Sequence, residues 1–170
     1  MYKVTRFPLY ATLFIALIFH LTLARYIAIG GTEPDLLAIL VIFFSIFLGP
    51  YRGLETGIVA GLLKDIFALD IFGINALVLG ATGFLAGALN SKFFRESKRS
   101  NFLLVFLFTL FSMVMHFALN ALFTRYTSVG LTEYMFASAI PVSLYTSIIS
   151  VPVFLKCIDL FGLKLGEDLL

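Results

Sequence analysis

Gly53-Leu54-Glu55-Thr56-Gly57-Ile58-Val59-Ala60-Gly61-Leu62-Leu63-Lys64-Asp65-Ile66-Phe67-Ala68-Leu69 is an apolar stretch that keeps three charges inside it. It lies among five cleaner runs: Phe7–Ala24, Leu36–Tyr51, Ile71–Ser91, Phe102–Thr124 and Tyr134–Leu155. None of these holds an Asp, Glu, Lys or Arg. A helix needs about 20 apolar residues to cross a hydrocarbon core, where the backbone has no water to bond. Long runs without alternating polarity exclude a membrane barrel. The chain therefore reads as all-α, a polytopic membrane protein with a single domain over 1–170. Its six transmembrane spans are predicted at about 7–24, 36–51, 53–69, 71–91, 102–124 and 134–155.

Composition points the same way. With 61% hydrophobic residues, 13% charged residues and a mean hydropathy of +1.04, too few polar groups remain to build an aqueous surface. Lys3 and Arg6 ahead of an apolar run resemble a signal peptide. The run is long for one, and no small-residue cleavage site follows, so it reads as a retained first span. With the amino terminus inside, nine basic residues fall on the cytoplasmic side: Lys3, Arg6, Arg52, Lys92, Arg95, Lys98, Arg99, Lys156 and Lys164. Arg25 and Arg125 fall outside, and Lys64 stays in the membrane. That asymmetry predicts both termini in the cytoplasm. The loops between spans are short, so function belongs in the bilayer or at its surfaces.

Gly53, Gly57 and Gly61 recur every fourth residue on the third span, and Ala76, Gly80, Gly83 and Gly87 make a similar stripe on the fourth. Small residues at this spacing let helices approach closely in lipid, either to pack these two spans together or to dock a partner's helix. Lys64 and Asp65 lie below the outer interface, roughly 18 Å along the helix from Gly53. Neighbouring helix positions point about 100° apart, so the two cannot easily satisfy one another. Asp65 continues the glycine face. It is expected to make an intramembrane polar contact with a neighbouring span or partner, or else to cap a helix end, with Lys64 snorkelling outward. Arg52 and Glu55 can pair across the cytoplasmic hairpin between spans two and three, where Gly49-Pro50-Tyr51-Arg52-Gly53 predicts the turn. His116 and Asn120 share a face of the fifth span and suit a hydrogen bond. Asn75 and Asn90, at the ends of the fourth span, read as caps or local polar contacts. Lys92, Arg95, Lys98 and Arg99 either fix topology or bind anionic partners. Pro141 and Pro152 should bend the last span.

Cys157 is the only cysteine and there are two histidines, His20 and His116. No disulfide, metal or cofactor site is expected, and no nucleic-acid partner. The chain holds no nucleophile elbow, zinc-protease helix or phosphate loop, so no catalytic residue is assigned.

The string Pro34-Asp35-Leu36-Leu37, then Gly49-x-x-Arg52-Gly53-x-x-x-Gly57-x-x-x-Gly61-Leu62-Leu63-x-Asp65, then Gly73-x-Asn75-Ala76-Leu77, resembles MreD. This is the family of rod shape-determining membrane proteins of bacteria. The similarity runs over all six spans in length and order, and residues Pro34 to Leu77 are its specific part. Lys64 beside the aspartate departs from the pattern. The resemblance implies a non-enzymatic scaffold or regulator of cell shape in the peptidoglycan elongation (Rod) complex. Implied partners are MreC, a single-span protein, with RodA, its transpeptidase partner and the MreB filament alongside. The six-helix arrangement is also similar to the substrate-binding subunits of energy-coupling-factor transporters. That similarity implies the alternative, a membrane subunit that captures a vitamin-type small molecule.

Overall fold

The structure, a computed structural model, describes residues 6–23, 32–68, 71–89, 98–124 and 130–162, together with Tyr26 and Ala28. These form six helices: α1 (Arg6–Leu23), α2 (Leu36–Leu48), α3 (Pro50–Phe67), α4 (Ile74–Leu89), α5 (Lys98–Thr124) and α6 (Leu131–Phe161). No β-strand occurs among the described residues. By length and composition, α5 over Asn101–Phe123 and α6 over Leu131–Phe161 are able to cross a membrane; α1, α2 and α4 are apolar but shorter. Only 28% of the most apolar window of α5 and 33% of that of α6 are buried, so their apolar side chains point mostly outward.

The centre of the bundle is α2. Every residue from Leu37 to Leu48 is buried, and the helix packs against α1, α3, α4, α5 and α6. Phe43 sets the core geometry, with ring centroids 4.8 Å from Phe47, 5.5 Å from Phe44 and 5.0 Å from Phe154 of α6. Phe44 meets Phe161 edge-on at 5.3 Å. Thirteen residues of helix span only about 20 Å, less than a hydrocarbon core. Other helices enclose α2, and Asp35 at its start is buried among them.

Helix boundaries differ from the sequence expectation for identifiable reasons. The hairpin between α2 and α3 is made by Gly49 alone, with φ 88° and ψ 178°, and Pro50 begins α3. Proline's fixed φ suits the first helical position, so Tyr51, Arg52 and Gly53 join the first turn instead of a loop. Gly73, at φ 98°, holds the chain in the left-handed region, and α4 starts only at Ile74 rather than at 71. The last helix is longer than 134–155 at both ends. It also contains a π-helical turn, Met135–Ala139, directly ahead of Pro141. Proline has no N–H to return to the preceding turn and its ring crowds that carbonyl, so the turn widens. Pro152 sits inside the helix.

α3 and α4 form the closest pair in the molecule. A Cβ added to Gly57 would collide with the Leu79 carbonyl and lie 2.8 Å from Gly80 Cα. One on Gly61 would strike Ala76 and the Asn75 carbonyl, and Gly53 and Gly83 oppose one another backbone to backbone. At the far end, a Cβ on Gly87 would come within 2.6 Å of Pro50 Cα. Gly80 stands slightly aside, facing the Ile58 and Leu54 side chains.

Gly57→Ala should therefore cost ~1–3 kcal/mol, because rigid backbone rather than a flexible side chain must give way. Thermal unfolding of the purified protein in detergent would read this as a clearly lowered midpoint. Gly130→Ala is the control and should be silent, since its nearest neighbour would be Thr132 Oγ1 at 3.9 Å.

Candidate functional site

Polar side chains gather at the two ends of the bundle. At the end formed by the starts of α1 and α3, Glu55 receives Arg52 Nη1 at 3.0 Å and the Tyr10 hydroxyl, with Arg6 Nε at 3.6 Å. The expected Arg52–Glu55 pair is thus part of a four-residue cluster that ties α1 to α3. Its guanidinium groups remain well exposed, so it adds little stability beyond anchoring.

At the opposite end, Asp65 is buried and accepts four donors from the α3–α4 connection. Oδ1 takes Asn75 N–H at 3.1 Å and Asn75 Nδ2 at 2.9 Å; Oδ2 takes Gly73 N–H and Ala76 N–H, each at 3.1 Å. These donors include the first amides of α4, which no residue within that helix can satisfy. One carboxylate therefore caps α4 from the neighbouring helix, where the positive end of the helix dipole favours it. The glycine face delivers it there, because Asp65 lies one turn beyond Gly61.

Lys64 does not snorkel away. Its Nζ donates to Asp35 Oδ2 at 2.7 Å, while Asp35 Oδ1 accepts Ala38 N–H at 3.0 Å as the N-cap of α2. Asp35 N–H in turn donates to Thr146 Oγ1 of α6 at 3.1 Å. Burial opposes the charge on Asp35. The Lys64 ammonium, the His20 ring and the Ala38 amide outweigh it and hold the carboxyl down at about 2. The adjacent pair Lys64 and Asp65 thus faces two different helices, as their 100° separation requires: Lys64 fastens α3 to α2, and Asp65 fastens α3 to α4.

His116 and Asn120 bond one another within α5, Asn120 Nδ2 lying 3.1 Å from His116 Nδ1 and 3.1 Å from its carbonyl. His116 also lines a cavity of about 260 Å³ shared with Asp35, Lys64, Asn75, Ser112 and Tyr134. A second, larger space of about 490 Å³ is an apolar groove along α3 and α4, bordered by Ile58, Leu77, Gly80, Ala81 and Phe123. No group of three metal-binding side chains occurs among the described residues. Asn90, Arg25, Lys92, Arg95 and Arg125, with the side chains of Lys98 and Arg99, lie outside the described residues.

Two features escaped the sequence reading. Asp35 is the partner of Lys64, although the residues stand 29 positions apart and no spacing rule joins them. The other is a buried hydroxyl row on α6, Ser143, Thr146, Ser147 and Ser150. Its three serines bond carbonyls of the preceding turn. The helical spacing of these four residues carried the signal for that row.

Compared with models of known families, the chain matches one described as rod shape-determining protein MreD over residues 1–162. The chain belongs to the MreD family. It is accordingly a membrane protein with a rod shape-determining role. No curated protein and no solved structure matches it.

Within this MreD family member, Asp65 offers a sharp test. Both carboxylate oxygens face donors, so Asp65→Asn turns an amide NH₂ toward two backbone N–H groups. It should destabilise by ~2–4 kcal/mol, close to Asp65→Leu, because each unsatisfied buried group costs roughly 1–3 kcal/mol. Equal thermal midpoints for wild type and Asp65→Asn would contradict this geometry. For the second pair, Lys64→Met alone should destabilise more than Lys64→Met combined with Asp35→Asn. Removing one charge leaves the other buried without a counter-ion, a loss of ~1–3 kcal/mol for a pair that keeps some exposure. A double-mutant cycle on unfolding midpoints measures the difference.

Proposed function

We propose that this protein is a non-enzymatic, six-span scaffold of the peptidoglycan elongation (Rod) complex, with both termini in the cytoplasm. In this reading it acts by holding an MreC-like single-span protein, with RodA, its transpeptidase partner and MreB in the same assembly. Membership of the MreD family supports the shape-determining part. The observation that carries the docking part is the apolar groove beside the α3–α4 seam. Gly53, Gly57, Gly61, Gly83 and Gly87 face the seam itself, which leaves them no room for a third helix. Gly80 and Ala81 instead border the groove, with Leu77 and Phe72 exposed beside them. Small residues flanked by exposed apolar ones suit a transmembrane helix that must approach closely in lipid.

Ala81→Phe fills this groove while leaving the glycine seam untouched. Expressed from its own locus, the variant should accumulate normally, lose the copurifying MreC-like protein and give rounded cells. Rod-shaped cells with the partner retained would remove the groove from the interface. Copurification of ATPase subunits in place of the wall-synthesis proteins would favour the transporter alternative instead.

Topology is tested separately. In a Cys157→Ala background, a cysteine at Ser128 should label from outside intact cells and one at Ser97 should not. Outside labelling at Ser97 would reverse the orientation, because the most basic loop would then face away from the cytoplasm.

A further inference from the structure

The polar cavity of about 260 Å³ lies at the end of the bundle where α2, α4 and α6 begin and α3 ends. Its wall carries a complete ion pair that is not fully sealed: the Lys64 and Asp35 side chains keep 27% and 12% of their exposure. Among the described residues, Lys64 uses one of its three N–H groups, on Asp35. Among the described residues, Asp35 accepts only Lys64 and the Ala38 amide, and a carboxylate has about four acceptor positions. Donor and acceptor capacity thus remain side by side at one place. Ser112 and Tyr134 add hydroxyls nearby, while Val78, Leu79 and Met113 give the remaining wall an apolar character.

A cavity that sets converging polar groups against an apolar floor is the usual form of a small-ligand site, though this one is small for its class. The charges decide the ligand class. The two formal charges of the lining, on Lys64 and Asp35, cancel, and the His116 ring beside them bonds Asn120, so a ligand with net charge would enter without compensation and bear the full desolvation penalty. A ligand carrying both signs can place its ammonium on Asp35 and its acid group on Lys64 without separating either from a counter-charge.

We propose that this cavity binds a compact zwitterion, a primary ammonium and an acidic group joined by a short aliphatic link. Two sources offer that chemistry, a free amino acid and the headgroup of phosphatidylethanolamine. The site is independent of the groove on α3 and α4 and of the scaffold reading built on it.

The test uses the full-length protein purified in detergent. Phosphatidylethanolamine, alanine and, as a control, phosphatidylglycerol are added separately, and thermal unfolding is followed together with lipid retention in native mass spectrometry. The expected result is a saturable rise in Tm with phosphatidylethanolamine or with alanine, exceeding any rise with phosphatidylglycerol. A response to the lipid alone assigns a headgroup, and a response to alanine assigns a free ligand. The response should vanish in Ser112→Phe, which fills the cavity. Should that variant not fold, Ala68→Phe serves, because Ala68 is only half-buried and lines the same cavity. No rise beyond phosphatidylglycerol with either probe, or a rise that survives filling the cavity, overturns the proposal.

Discussion

The α3–α4 pair holds because backbone meets backbone at four places over about three turns and one carboxylate closes the end. Where lipid removes the usual hydrophobic drive between helices, contact must come from close packing and from polar groups with nowhere else to go. Gly53, Gly57 and Gly61 supply the first and Asp65 the second. The two depend on each other. The glycines bring α3 near enough for the carboxylate to reach the amides of Gly73, Asn75 and Ala76, and the carboxylate in turn fixes where α4 begins. A side chain at any of the three glycines would separate the helices and leave those amides without an acceptor.

From this seam the rest of the polar layer follows. Asp65 fixes the rotation of α3, which carries Lys64 around toward α2, where Asp35 waits as an N-cap. Asp35 then passes the connection to Thr146 on α6. Three helix ends and one helix interior are thereby tied through a chain of buried and part-buried hydrogen bonds at one level of the bundle. Such a network is stable only when each member is satisfied, and here each carboxylate has at least two donors. At the opposite end, Glu55 collects Tyr10 and Arg52, so charge is confined to two layers with an aromatic and aliphatic core between them.

Sequence periodicity revealed the helical class, the close-packing stripe and the direction of Asp65, because each depends on local spacing. It also showed that Lys64 and Asp65 cannot easily satisfy one another, though it offered Lys64 a path outward rather than a neighbour. It did not reveal the neighbour, since pairing of Lys64 with Asp35 depends on how α2 and α3 fold back about Gly49. Helix ends were misplaced where hydropathy ran past a stereochemical stop: apolar Ile71 and Phe72 continue the pattern, but Gly73 cannot lie in the helix at φ 98°. The stripe on α4 was legible as a row of small residues, yet its division was not. Whether Gly80 turns toward the seam or toward the groove depends on the crossing of two helices, which no single-helix pattern encodes.

That division bears on how one small domain can both hold itself together and present a surface. A glycine seam consumed by internal packing has nothing left to offer a partner, so the proposed docking surface lies on the flank, where Gly80 and Ala81 border the groove beside Ile58 and Leu77. The seam also makes the flank rigid, because α3 and α4 cannot slide without driving a carbonyl into a backbone neighbour. A rigid apolar flank imposes less ordering cost on an incoming helix than a flexible one would. The same rigidity places the cavity walls, since Lys64 and Asn75 sit on the two helices the seam locks together. Stability of the pair, shape of the flank and geometry of the polar cavity are then consequences of one close approach, and a substitution in the seam should disturb all three at once.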